Sequence, residues 1–385
     1  MTSRWGTLAL LFTVRAALGF QFQTVGSVGD SLKTDLGLSY TELGTLIGVF
    51  FLPGLALAIP AGYVGRHITD RLLVTLGMAA LALGGVACAL AQDFFFMTAG
   101  RVFCGIGFVV VAIYMAKMVA DWFAGKEIAT AMAVLVMSWP FGIAMGQVGQ
   151  SWVATLFGWR PTFLIAALYC LIGAGLVFAF YRPPPATTGG PPISAALTRR
   201  EWMLILIASA TWAFFNGAYV VYLSFAPRVL VRGGFGPLEA AAVISLASWV
   251  MIVSGAICGQ IADRSGKSDI ILYGCLAIAM IVLALLPHAG LAVPLSLAFG
   301  LIGMAPAGLI MALTGQAMAP QRRAFGMGVF FSGYFLVTAP APAIAGWLFD
   351  RSGDPFQPIL FAIVLFGATI LANVAFRVAQ ARRAA

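Results

Sequence analysis

Charge is what this chain has least of. Only 9% of its 385 residues are Asp, Glu, Lys or Arg, against about 25% in a soluble domain. A surface so poor in charge cannot be presented to water, which excludes a soluble globular protein. Acids are scarcest: there are 13 Asp and Glu, and none falls deep inside an apolar run. That leaves no paired carboxylates for acid–base work and no buried acid to carry proton symport. Histidine occurs twice, as His67 and His288, both in predicted loops, which argues against a His-rich metal site. The five cysteines (Cys88, Cys104, Cys170, Cys258 and Cys275) lie in apolar runs with no C-x-x-C pair. They read as small buried hydrophobes, neither metal ligands nor disulfide partners. With no nucleophile–base set at depth, the residues point away from an enzyme and from a bound cofactor.

What is present is apolar: 61% of residues are hydrophobic and the mean hydropathy is +0.99. The runs are near-continuous and do not alternate, so barrel strands are excluded. Helices remain, because each satisfies its own backbone in lipid. At roughly 20 residues per span the chain holds about twelve. The fold class is therefore all-α integral membrane, with spans predicted at 5–28, 40–64, 71–92, 94–121, 127–156, 161–181, 202–227, 237–261, 269–287, 290–316, 324–349 and 357–378. Of the 22 Lys and Arg, 14 fall in loops of one side and five (Lys33, Arg160, Arg228, Arg232, Arg351) in loops of the other, while Arg15, Arg101 and Lys117 fall inside spans. The positive-inside rule places both termini in the cytoplasm. The net charge of +9 thus reports topology, not nucleic-acid binding. Arg15 interrupts the first apolar run and no A-x-A site follows, so the first span reads as retained, not as a cleaved signal peptide.

The longest predicted cytoplasmic loop, RPPPATTGGPPISAALTRR (182–200), has linker composition. It separates a first six-helix bundle (1–181) from a second (201–385). Trp5 and Trp202, Glu42 and Glu239, Gly62 and Gly259, Gly149 and Gly346, and Pro161 and Pro358 are each 197 residues apart. Two pseudo-symmetric bundles are the architecture of secondary transporters, whose sites lie at the midplane. Glu42 and Glu239 themselves read as helix caps, Glu42 through the capping-box spacing Ser39-Tyr-Thr-Glu42. Pro53, Pro60, Pro140, Pro306, Pro340 and Pro342 mark points where spans kink or break.

Arg15, in LLFTVRAALGF, stands about 15 Å along the helix from Trp5, near mid-bilayer. A cation there costs at least a few kcal/mol unless it meets water, a partner or a ligand. Trp212 stands 197 residues later, and Trp212, Asn216 and Tyr219 follow at i, i+4 and i+7 on one face. That face reads as a pocket wall or as helix packing. Gln21, Gln23 and Gln316 are weaker polar candidates, and snorkelling accounts for Lys117.

GQIADRSGKS (259–268) resembles, at Gly259, Asp263, Arg264 and Lys267, the signature loop G-x-x-x-D-R-x-G-R/K of the major facilitator superfamily (MFS). The resemblance implies the MFS fold and a charge relay of Asp263 and Arg264 that latches the cytoplasmic side. In the first half GYVGRHITDR (62–71) keeps Gly62 but has Arg66 in place of the acid and Thr69 in place of the second glycine, leaving Asp70 and Arg71 as candidate substitutes. RVFCGIG resembles the fourth-span motif R-x-x-x-G-x-G through Arg101, Gly105 and Gly107. In the family that arginine is linked to proton or substrate coupling; the other reading is a buried arginine tied to carbonyls. Trp139-Pro140-Phe141-Gly142 is a loose echo of the span-five antiporter motif and assigns no antiporter. The span-one arginine, followed by V-G, looks like the cyanate and nitroimidazole branch.

The resulting expectation is a monomeric secondary transporter of the inner (plasma) membrane. It would move a small anionic or polar organic solute by alternating access, with a proton as the coupling ion to consider and without a cofactor, metal or nucleic-acid partner. Arg15, Gln23, Arg101, Trp212, Asn216 and Tyr219 are the expected substrate contacts. Gly62, Asp70, Arg71, Gly105, Gly259, Asp263 and Arg264 are the expected gating residues. The alternative is an exporter of hydrophobic drugs in which Arg15 is structural.

Overall fold

The structure, a computed structural model, describes residues 3–64, 68–123, 127–184, 197–319 and 322–381. Arg66, His67, Lys126, Arg382, Arg383 and residues 185–196 of the linker lie outside the described residues. Among the described residues, twelve helical stretches are long and apolar enough to cross a membrane. Spans 1–6 are Arg4–Ser27, Tyr40–Ala58, Asp70–Leu90, Phe94–Trp122, Thr130–Phe157 and Trp159–Phe180. Spans 7–12 are Arg199–Arg232, Pro237–Ser265, Ser268–Leu285, Ala289–Ala317, Phe325–Ser352 and Gln357–Ala381. Leu83, Phe157 and Leu371 stand 62%, 68% and 71% exposed, as side chains facing hydrocarbon do.

Two features depart from the sequence reading. Span 7 runs 34 residues to Arg232, so Arg228, expected in a loop, is helical and buried. A short helix, Gly29–Leu36, occupies the predicted loop between spans 1 and 2 and closes on Gly37 at φ +66°. The expected proline effects recur along the chain. Span 2 breaks after Gly48 and restarts at Leu52 beside Pro53. Span 10 passes through a π-turn, Phe299–Gly303, and restarts at Ala307 after Pro306, while span 11 restarts at Ala341 after Pro340. Glu42 caps as read, its Oε2 accepting from Ser39 N at 2.8 Å, and Glu239 Oε2 accepts from Gly236 N at 3.3 Å. Thr198 and Glu201 form a further capping box that starts span 7.

The chain divides into two compact units, Met1–Gly189 and Gly190–Ala385. In the first, span 1 packs on spans 5 and 6, and span 3 on spans 4 and 6. In the second, span 7 packs on spans 11 and 12, and span 9 on span 12, which repeats three of those pairings six spans later. Each unit is clipped at both ends by an ion pair, and the polarity of the clips is inverted between units. Arg4 pairs with Glu127 at 2.8 Å, whereas Glu201, 197 residues after Arg4, pairs with Arg322 at 2.5 Å. At the opposite end Asp35 pairs with Arg160 at 2.8 Å, whereas Arg232, 197 residues after Asp35, pairs with Asp354 at 2.5 Å. The three exposed pairs contribute only about 0–1 kcal/mol each, whereas Glu201 in the fourth is buried. Their sign nevertheless matters: a span exchanged between units would set Arg4 against Arg322 and Asp35 against Asp354.

Asp35 lies outside the spans, and hydrogen bonds from Trp159 Nε1 (2.9 Å) and Arg160 Nη1 (2.8 Å) hold its carboxyl below the usual carboxylate range. A depressed folded-state pKa stabilises above the unfolded value and is lost as pH falls through the folded one. Acidification below the ordinary carboxylate range should therefore loosen this end of the first unit. In D35N that part of the pH dependence of thermal unfolding should vanish, and an unchanged pH profile would show that the clip adds nothing.

Candidate functional site

Pro140 has no N–H and its ring crowds the carbonyl one turn earlier, so the chain around Val136 has acceptors to spare. Arg15 uses them. Its Nη1 donates to the carbonyls of Leu135 (2.7 Å) and Val136 (3.5 Å) and to Ser138 Oγ (3.1 Å). Its Nε is buried without a partner, and Nη2 donates to no described residue. The guanidinium is thus moored by one nitrogen, and its Nε, which is shielded from solvent, and its Nη2 have no partner among the described residues. Two glycines set how close the moorings lie. A β-carbon on Gly19 would overlap the carbonyl oxygen of Trp139, and one on Gly142 would overlap that of Ala16. Spans 1 and 5 therefore touch backbone to backbone on either side of Pro140. G142A should push them apart and destabilise the protein by about 1–3 kcal/mol, read as a lower Tm. An unchanged Tm would mean the crossing relaxes at no cost.

Arg101 is fully buried and fully engaged. Nε donates to the carbonyl of Leu46 (3.0 Å), Nη1 to Gln21 (3.2 Å) and Nη2 to Phe22 (3.3 Å), with the ring of Phe50 4.7 Å from the guanidinium carbon. Leu46 lies in the last turn of the first helix of span 2, where carbonyls lack helical partners. One side chain thereby ties spans 1, 2 and 4. Gly105 and Gly107 permit the approach as read: a β-carbon on Gly105 would lie 2.9 Å from Pro53 Cγ and would overlap the carbonyl of Phe50, and one on Gly107 would overlap that of Gly77. The structure does not bring Arg101 and Arg15 to one site, since their moorings on and from span 1 are six residues, about 9 Å, apart.

Gln23 Nε2 donates to Gln147 Oε1, and Gln150 Nε2 donates to the carbonyl of Phe20 and to Thr24 Oγ1, each at 2.9 Å. Gln21 Nε2 meets Cys104 Sγ at 3.3 Å. Gln21 Oε1, Gln147 Nε2 and Gln150 Oε1 are left buried and unpartnered. Sequence reasoning missed Gln147 and Gln150. The available signal was GQVGQ, two amides three residues apart in an apolar helix, where polar groups are costly.

In the second unit the predicted face divides. Tyr219 is buried with its hydroxyl 2.7 Å from Ser248 Oγ, which commits it to span 8. Asn216 Nδ2 donates to the carbonyl of Trp212 on its own helix (2.8 Å). Trp212 stacks on Phe215 with centroids 6.0 Å apart, and both Trp212 and Asn216 are half-buried. Tyr222 with Ser296 (3.0 Å) and Tyr273 with Asn373 (2.8 Å) are buried or part-buried polar pairs that were not anticipated.

Of the gating residues, Gly62 falls in the last turn of the helix Leu52–Val64. Asp70 opens span 3 and pairs with Lys117 at 2.5 Å, and Lys117 also reaches Asp121 at 3.2 Å. Lys117 is therefore held between two acids, which corrects the reading that it merely snorkels. Arg71 lies 4.5 Å over the ring of Phe178. Asp263 and Arg264 are exposed and form no ion pair with a described residue. The close packing expected at Gly259 is not found: a β-carbon there would meet nothing within 4 Å among the described residues, so space remains where a neighbouring helix was expected. A second ion pair at this end, besides Glu201 with Arg322, joins Asp269 to Arg377 at 2.9 Å, and Gln316 accepts from Arg377 Nη1 at 2.6 Å.

A family model of the Major Facilitator Superfamily matches residues 11–342. The chain is 24% identical over 354 residues to the hexuronate transporter of Bacillus subtilis, covering 84% of this chain and 82% of that one. It is 26% identical over 378 residues to an MFS-type efflux pump of Mycolicibacterium smegmatis, covering 91% and 84%. Among solved structures, a variant of the nucleoside transporter NupG superposes with a TM-score of 0.76 at 13% identity over 98% of this chain and 100% of its own, a likeness of fold. With twelve spans in two matching units and a family match across most of its length, the chain belongs to the Major Facilitator Superfamily and is a multi-pass membrane transporter of small solutes, not an enzyme.

Proposed function

We propose that this transporter carries small organic anions, carboxylates of the sugar-acid class, by alternating access across the inner membrane, with both termini in the cytoplasm. The observation that carries the reading is the Nε–Nη2 edge of Arg15 at mid-span depth, without a partner among the described residues. That edge is the side-on fork a carboxylate engages with two parallel hydrogen bonds. In a low-dielectric setting such a contact is stronger than in water. A hexuronate combines a carboxylate with a ring of hydroxyls, and the amides of Gln23 and Gln147 are suited to the latter. The hexuronate relative supports a carboxylate over the cyanate or nitroimidazole suggested by span 1 alone.

A second reading, export of hydrophobic compounds, draws on the efflux relative and on the aromatic cluster of Phe22, Phe50, Phe108 and Trp139, whose neighbouring centroids lie 5.0–5.4 Å apart. In that reading Arg15 only braces span 5. A thermal-shift comparison of the purified protein separates the two. A hexuronate is expected to raise Tm and the matching neutral hexose is not, because only a ligand of the folded state shifts unfolding. Equal shifts with acid and neutral sugar, or a shift only with a lipophilic cation, would overturn the anion reading.

A further inference from the structure

The end of the first unit that carries Asp70 contains a cavity of about 540 Å³ lined by Asp70, Arg71, Leu72, Lys117, Phe178 and Tyr181, among others. Span 3 begins here, and spans 4 and 6 end here at Trp122 and Phe180. The cavity therefore sits at a membrane boundary, the level of lipid phosphates. Its rim is apolar and outward-facing, with Leu72 41% and Phe178 52% exposed.

The charges at this end balance in number, Lys117 and Arg71 against Asp70 and Asp121, but not in placement. Lys117 is taken up by Asp70 and Asp121. Arg71, stacked over Phe178, donates from its guanidinium to no described residue and forms an ion pair with none of them. Both acids are drawn to Lys117, and Arg71 keeps its donors beside an acyl-compatible wall. Neither acid is left for an ammonium group, because both already face Lys117. A guanidinium without an acidic partner at the bilayer surface is suited to a lipid phosphate.

We propose that this cavity holds the phosphate of an anionic membrane phospholipid, bound by Arg71, with its acyl chains along Leu72 and Phe178. The site is separate from Arg15 and stands whether or not the transported solute is a carboxylate.

Native mass spectrometry of the full chain with phosphatidylglycerol tests this, with R199Q, which removes an exposed arginine elsewhere, as the charge control. R71Q is expected to retain the lipid about tenfold more weakly than wild type or R199Q. R71K, which keeps the charge but loses the fork, is expected to fall between. Retention by R71Q equal to wild type would overturn the proposal, as would equal retention of phosphatidylethanolamine by the wild type. Glycerol 3-phosphate that displaces the lipid at millimolar concentration, in an Arg71-dependent manner, would reassign the cavity to a soluble phosphate and overturn the lipid.

Discussion

R15Q is expected to abolish transport of the anionic solute while the protein still inserts and folds. Glutamine ends two bonds short of Nη1, so both carbonyls lose Arg15, but that of Leu135 still accepts from Ser138 Oγ. The folding loss should stay near the cost of a single hydrogen bond to a charged group, about 1.5–3 kcal/mol. The binding loss is larger, because a carboxylate brought to mid-span would find no opposite charge. Removing one member of a desolvated charge pair costs about 2–5 kcal/mol, some 30- to several-thousand-fold in affinity. R15K should fall between the two, keeping the charge and losing the side-on fork. Uptake into proteoliposomes, read beside the melting curve of each variant, checks this. Undiminished uptake by a folded R15Q would remove Arg15 from the solute path and favour the exporter reading.

R101L is expected to fail at the level of folding. The substitution removes the donors to Leu46, Gln21 and Phe22 at once and leaves a polar lining facing leucine in a fully buried position. Breaking a buried network by removing its charged member costs about 3–5 kcal/mol, against a total stability of about 5–15 kcal/mol. Most of the loss should persist in R101K, whose single ammonium cannot reach three carbonyls in the plane a guanidinium spans. The readouts are accumulation in the membrane and Tm. A well-folded R101L that has lost transport would instead assign this position the coupling role that the fourth-span motif implies.

These two arginines show how far a sequence can be read. Both are conspicuous as charges inside apolar runs, and both invite the same functional guess. Their separate fates depend on partners distant in the chain. Arg15 is moored by residues 120 and 123 positions away, and Arg101 by carbonyls 55, 79 and 80 positions away. Backbone carbonyls are present at every residue, so no residue type announces which will face a guanidinium. Gln147 and Gln150 are visible as amides in an apolar helix, but their partners Gln23, Phe20 and Thr24 lie 124, 130 and 126 positions away.

By itself the sequence determined the span count, the helix ends to within a few residues at most spans, the caps at Glu42 and Glu239, the proline breaks and the six-plus-six repeat. All of these are local. A segment in lipid must satisfy its own backbone, so length, apolarity and cap chemistry suffice to specify it. The tertiary structure alone decided which nitrogens of Arg15 lack a partner among the described residues, that Arg101 is spent on three carbonyls, that Gly19 and Gly142 bring two backbones into contact, and that the clips of the two units carry opposite polarity. Those outcomes depend on approach distances between spans that are remote in sequence, and such distances are set by packing many side chains at once, which no single stretch of residues contains.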